Sequence, residues 1–107
     1  MTVKDLTLLG FKALCLPDEN REIRGAYVGD LLSWVMGRAK ADDAWVTIMS
    51  NVNVLAVASL ADVACVILAE GVTLDEKCLE IANQKNVNVL ISQMPIYETA
   101  VEISKKI

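Results

Sequence analysis

The side chains able to do chemistry in this chain are cysteines, hydroxyls and carboxylates, because its 107 residues include no histidine. That removes the commonest general base and the commonest metal ligand. Cys15, Cys65 and Cys78 are odd in number and none is spaced as C-x-x-C. They are expected to be reduced, mostly buried thiols rather than a disulfide or zinc framework. Ser33, Ser50, Ser59, Ser92 and Ser104 have no histidine to take their proton, and none begins an S-x-x-K pair. Asp42-Asp43 is adjacent rather than spaced like metal ligands and reads as a solvated turn before a strand. There is no G-x-x-x-x-G-K-[ST] and no G-x-G-x-x-G. Gly25 and Gly29 read as turn glycines ahead of Asp30. The residue types exclude a histidine triad, a P-loop and a histidine metal centre, and no cofactor is expected.

One stretch has the pattern of a binding site. Ser50, Asn51 and Asn53 follow a β-rich run and open a helix. Ligands of open α/β sheets bind at the carboxyl ends of parallel strands, and free N–H groups at a helix start suit an anion. With Gly71 after the next strand, these residues form a candidate site for a nucleotide or other anion. The alternative is simple capping of the helix. The helix itself, Val52 to Leu60, is apolar almost all round, so it is buried on more than one side. Val54, Leu55, Val57 and Ala58 are therefore either core or a self-association face. Trp34 and Trp45 pose the same choice, between core packing and anchoring an interface.

The elements that would position these residues alternate. Thr2, with Asp5 three residues on, caps a short first helix that Gly10 ends. Phe11 to Leu16 reads as a strand and Ile23 to Val28 as a second. Asp30 is placed to cap Leu31 to Met36, with Gly37 as its C′ glycine. Ala44 to Met49, Ala61 to Leu68 and Val87 to Ile91 are short β-rich runs. Thr73 and Glu76 form a capping box for a helix over Leu74 to Gln84, with Leu74, Cys78, Ile81 and Ala82 inward. Pro95 opens a last helix whose stripe is Ile96, Ala100, Ile103 and Ile107. Continuous apolar strands alternating with helices predict an α/β fold: three layers, a mostly parallel sheet of four to five strands, and helices on both faces. No linker or repeat divides residues 1–107, so a single domain is expected.

Composition narrows the partners. The chain is 54% hydrophobic with a formal net charge of −4. The apolar share excludes a disordered tail, and the acidic balance argues against nucleic-acid backbone binding. Asn53, Ser59 and Asp62 interrupt the most apolar stretch, Val52 to Ala69, so no membrane span is expected. Residues 1–16 lack the order of a signal peptide, and the cytoplasm is the expected location.

Several segments in order resemble the DRTGG domain: Tyr27-Val28-Gly29-Asp30-Leu31-Leu32-Ser33-x-Val35-Met36, Trp45-Val46-Thr47-Ile48, Asn53-x-x-Ala56-Val57-Ala58 and Tyr97-Glu98-Thr99-Ala100. The resemblance spans roughly residues 3 to 105. It implies an accessory regulatory module like those of some phosphotransacetylases and CBS-domain pyrophosphatases, where the domain helps form dimers. It is also similar to the non-catalytic amino-terminal domain of HPr kinase/phosphorylase. It implies a homodimer and, from similar proteins beside iron-hydrogenase subunits, a partner in a metabolic or redox enzyme system. The eponymous residues differ: Ser50-Asn51 stands where the DR pair falls, and Ala69-Glu70-Gly71 where TGG falls, so only Gly71 is kept. The missing arginine weakens the case for an anion. The leading expectation is a non-catalytic module working through homodimerisation and partner contact, with a small-molecule sensor as the alternative.

Overall fold

A computed structural model describes all 107 residues. A 3-10 helix, Val3–Leu9, leads into β1 (Lys12–Cys15) and β2 (Gly25–Val28). Then follow α1 (Leu32–Arg38), β3 (Asp43–Thr47), α2 (Val52–Ala61), β4 (Cys65–Leu68), α3 (Glu76–Gln84), β5 (Val89–Ile91) and α4 (Ile96–Ser104). The five strands form one sheet in the order β1-β5-β4-β3-β2. Strands β2 to β5 are parallel, and β1 closes one edge antiparallel to β5.

Strand order decides where the helices go. From β2 to β5 each strand adds to the same side of its predecessor. Crossovers of one hand then place every connecting helix on one face. Val35 of α1, Leu55 of α2 and Ala82 of α3 accordingly pack together over Trp45, Val66, Leu68, Val89 and Ile91. The alternate strand residues Ala44, Val46, Cys65, Ile67 and Leu90 point to the other face. There Val3 and Leu6 of the 3-10 helix and Ile103 of α4 cover them. The expected three-layer, mostly parallel α/β sheet is what the chain forms.

Because α2 is the middle helix, flanked by α1 and α3, it is apolar nearly all round. Val54, Leu55, Val57 and Ala58, which the sequence left as either core or a self-association face, are all inside this chain's own core. The exposed apolar residues of α2 are Val52 and Leu60 instead.

Several local details depart from expectation. Gly37 lies inside α1, which runs on to Arg38 and ends where Ala39 N–H bonds Val35 O. Asp30 does not cap α1, because its Oδ1 accepts the Thr47 hydroxyl at 2.7 Å and Ile48 N–H at 3.0 Å. Asp75, not Thr73, caps α3, accepting Cys78 N–H at 2.8 Å. Neither Asp42 nor Asp43 is a free solvated turn residue. Asp42 Oδ1 accepts the Arg21 guanidinium at 2.9 and 3.0 Å, and Asp43 is buried and accepts Lys40 N–H at 2.8 Å. Arg21 also donates to the Asp62 carboxylate at 2.9 Å. This ties the β1–β2 segment to the amino-terminal edge of β3 and β4. Burial alone would lower the Arg21 pKa, but the two carboxylates outweigh it and hold the pKa above its ordinary value.

Candidate functional site

With the amino-terminal edge of the sheet locked by Arg21 and its carboxylates, the carboxyl edge is where side chains are left over. Three loops meet there: the one after β3, the one after β4 and the one after β5. Asn51 leaves β3 with extended backbone and caps α2, its Oδ1 accepting Asn53 N–H at 2.9 Å. Asp75 does the same for α3. Hydrogen bonds from the start of α3, first from Cys78, hold its carboxyl below the usual range.

An open groove of about 590 Å³ runs between these two helix starts. Ser50, Asn51 and Val52 line one side, and Asp75 and Lys77 the other. Cys78 and Ile81 supply its apolar floor. Lys77 is its one cation, and Asp75 places a carboxylate on the same wall. An anion here would meet Lys77, while both helix starts already carry their own side-chain caps, Asn51 on α2 and Asp75 on α3.

The structure therefore brings together Ser50 and Asn51 but not the whole expected set. The Asn53 side chain is exposed and does not line the groove. Gly71 turns toward the β5–α4 loop: its N–H bonds Ser92 O at 3.0 Å and its φ is +73°. A Cβ there would lie 2.9 Å from Gln93 Oε1. The left-handed backbone favours glycine at position 71, whereas the Gln93 contact is with the end of a flexible side chain that can move. Glu70 beside it accepts Ile96 N–H at 2.8 Å, completing the start of α4.

Thr99 stands within the segments that carry the family resemblance, but sequence reasoning assigns it no role. Its hydroxyl lies 2.9 Å from the Ser92 hydroxyl in a buried pair, and it also donates to Pro95 O at 3.0 Å. Thr99 is three residues after Ile96 and four before Ile103, so stripe spacing places it inward. It joins the end of β5 to α4 and is saturated by protein partners.

The thiols are poorly suited to nucleophilic work. All three cysteines are free. Burial pushes the Cys65 thiol up to about 12. Cys78 is raised by burial and then by the Asp75 carboxylate beside it, and Cys15 is raised by burial. No three Cys, Asp or Glu side chains converge as a metal cluster, and no helix is long and apolar enough to cross a membrane.

The two tryptophans divide. Trp45 is fully buried and its indole N–H donates to Gly29 O at 2.9 Å. Trp34 on α1 is 52% exposed, with the Arg38 guanidinium stacked 3.8 Å from its ring centroid. Val28, Leu31 and Met36 are exposed as well, and Leu31 stands three residues before Trp34, on the same side of the helix.

Compared with known proteins, residues 12–105 match the family model of the DRTGG domain. A comparison with curated proteins gives no significant match. Among solved structures, the fold is similar to the CBS and DRTGG domains of the regulatory region of a Clostridium perfringens pyrophosphatase, crystallised with its activator diadenosine tetraphosphate. The TM-score is 0.70 at 14% sequence identity, over 94% of this chain and 44% of that one. This chain thus spans less than half of that regulatory region, and the likeness is one of fold.

Proposed function

The chain belongs to the DRTGG domain family, whose domain is a regulatory module, and from that premise we propose that it is non-catalytic and works by contact. Its contacts are with a second copy of itself and with a protein of a metabolic or redox enzyme system. The cytoplasm, where its three free thiols stay reduced, is the compartment that suits it. The observation that carries this reading is the exposure of apolar side chains from the end of β2 through α1: Val28, Leu31, Trp34 and Met36. Large exposed side chains with a tryptophan among them are the composition of interface anchors. The raised thiols and the saturated polar pairs of the carboxyl edge leave no activated nucleophile to compete with it. Light scattering on the chain at micromolar concentration is expected to give twice the 11.7 kDa monomer mass. A monomer throughout that range overturns the self-association part of the reading.

A second reading is favoured by the groove between the starts of α2 and α3. It supplies one cation for a nucleotide or other anion, with Ser50, Asn51 and Lys77 as the contacting side chains. A thermal-shift series with adenine nucleotides, diadenosine tetraphosphate included, tests it. Binding to the folded chain raises the melting temperature, and Lys77→Ala is expected to abolish the rise. No shift at millimolar nucleotide overturns it.

A further inference from the structure

We infer that the open edge of β2 pairs antiparallel with β2 of a second copy, in the register that sets Ala26 opposite the second copy's Val28. The inference rests on the self-association reading above and names its surface. The two edges of the sheet are treated differently by the sequence. On the outer strand β1, Lys12 is exposed and the pairing is broken by a bulge between Ala13 and Cys15. Both are devices that blunt an edge. On β2, Gly25-Ala26-Tyr27-Val28 carries no charge, no proline and no bulge, and it pairs only with β3.

Backbone direction gives the register. Gly29 donates its N–H to Val46 O across the β2–β3 ladder. By the alternation of a strand, Tyr27 turns its backbone toward β3 as Gly29 does, and Ala26 and Val28 turn theirs to the open edge. Ala26 and Val28 are also exposed in side chain, Val28 at 46%. A two-fold axis at Tyr27 makes Ala26 and Val28 exchange N–H···O bonds with the second copy's Val28 and Ala26. Each residue meets the other, as an isologous interface requires.

Charge agrees with that register. Arg24, its side chain 74% exposed although its Nε lies 3.5 Å from Asp42 Oδ2, stands just before β2, and Asp30 stands two residues after it. Antiparallel pairing about Tyr27 brings the Arg24 end of each strand against the Asp30 end of the other. The hydrogen bonds to Asp30 use Oδ1 alone, so Oδ2 is free to accept. A parallel arrangement would set like charges together. Continuing the sheet also places the two copies of α1 side by side, since α1 is the last helix of its layer. Trp34, with Leu31 one turn before it, is the exposed apolar side chain that α1 has for that contact.

The test uses the full chain and two measurements. Val28→Lys puts a cation on each copy at the paired edge and, at a half-exposed site, leaves the fold intact. It is expected to weaken the dimer at least about tenfold by light scattering or sedimentation, with an unchanged circular dichroism spectrum. Amide exchange of the unaltered chain reads the register: the Ala26 and Val28 N–H groups are expected to be protected at high concentration and to lose protection on dilution. A dimer that persists in Val28→Lys, or Ala26 and Val28 amides that exchange freely within a dimer, overturns the strand pairing and leaves self-association standing. A chain that is monomeric without any substitution overturns both.

Discussion

Leu55→Ala separates the two roles that an all-apolar helix can have. Leu55 has no exposed surface and packs in the layer formed by α1, α2 and α3. The substitution removes three buried carbons worth about 0.8 kcal/mol each, or about 2.4 kcal/mol of transfer free energy. The space left behind collapses only in part, because both flanks of α2 are held by neighbouring helices and the sheet lies beneath. That raises the expected loss to about 3–4 kcal/mol, within the ~2–5 kcal/mol range of such changes. At about 2.1 cal/mol/K of unfolding entropy per residue, the melting temperature should fall by about 15 °C. Leu60→Ala is the internal comparison: the same change on the same helix at a side chain that is 73% exposed. It should cost no more than about 0.5 kcal/mol. Urea unfolding followed by circular dichroism at several protein concentrations reads both. A core residue shifts the midpoint equally at every concentration. If the Leu55→Ala loss shrinks or grows with protein concentration, or if Leu60→Ala costs as much, α2 is not the buried middle helix described above.

Three further substitutions test the polar and backbone devices. Asn88→Ala removes an amide that donates to Ala64 O and Asp18 O and accepts from Asp18 N–H. It leaves the Ala64 carbonyl without that donor inside the core, so a loss of about 2–3 kcal/mol is expected in denaturant titration. A loss under about 0.5 kcal/mol would show that water replaces the clamp. Gly71→Ala forces an L side chain into φ +73° and against Gln93. It should lower stability by about 1–2 kcal/mol without changing thiol reactivity, and a neutral result would contradict the left-handed backbone at this position. The folded pKa of Asp75 is depressed, chiefly by Cys78 N–H. Its contribution is therefore present above the unfolded carboxyl pKa and is lost as pH falls through the lower folded value. Asp75→Asn should flatten the acid limb of a stability–pH curve and leave the neutral region parallel to that of the unaltered chain. An unchanged acid limb would remove Asp75 from the linkage.

What the sequence made legible followed from periodicity, and what it hid followed from long-range partners. The alternation of apolar runs and helical stripes was enough for the parallel layers; of the Leu74, Cys78, Ile81, Ala82 stripe, Leu74, Cys78 and Ala82 are buried while Ile81 is half-buried beside the groove. The capping of α1 was misread because Asp30 has a better acceptor role 17 residues away at Thr47, a contact no local pattern encodes. At α3, Thr73 and Asp75 each have a suitable residue three positions on, and local spacing alone does not rank them. The direction of β1 was equally invisible, since its link to β2 has no helix and fixes no handedness. Of the candidate site, Ser50 and Asn51 do face a groove, whereas Gly71 is explained by its own backbone. Val54, Leu55, Val57 and Ala58 show the deeper ambiguity. An all-round apolar helix states that it is covered, and only tertiary structure says that α1 and α3 do the covering.

The sequential strand order bears directly on how such a domain can regulate. In doubly wound sheets a crevice opens where neighbouring connections leave to opposite faces, and ligands bind there. Here β2, β3, β4 and β5 follow one another, and α1, α2 and α3 share one face, so no such crevice forms among the parallel strands. The carboxyl edge offers a shallow groove between helix starts, with one of those starts capped by its own carboxylate. A signal received there has little depth in which to be enclosed. The open strand β2 and helix α1 instead lie side by side at one end of the molecule, one with unpaired backbone and the other with exposed apolar side chains. The Thr47–Asp30 hydrogen bond joins that end to the strand from which Ser50 and Asn51 depart. A ligand that shifted the loop after β3 would thus act first on Asp30, the residue that bounds the open edge. If the proposed pairing at β2 forms, Asp30 is the side chain through which the loop after β3 would reach it, and Asp30→Asn, which keeps an acceptor but removes the charge, should weaken self-association more than it weakens folding.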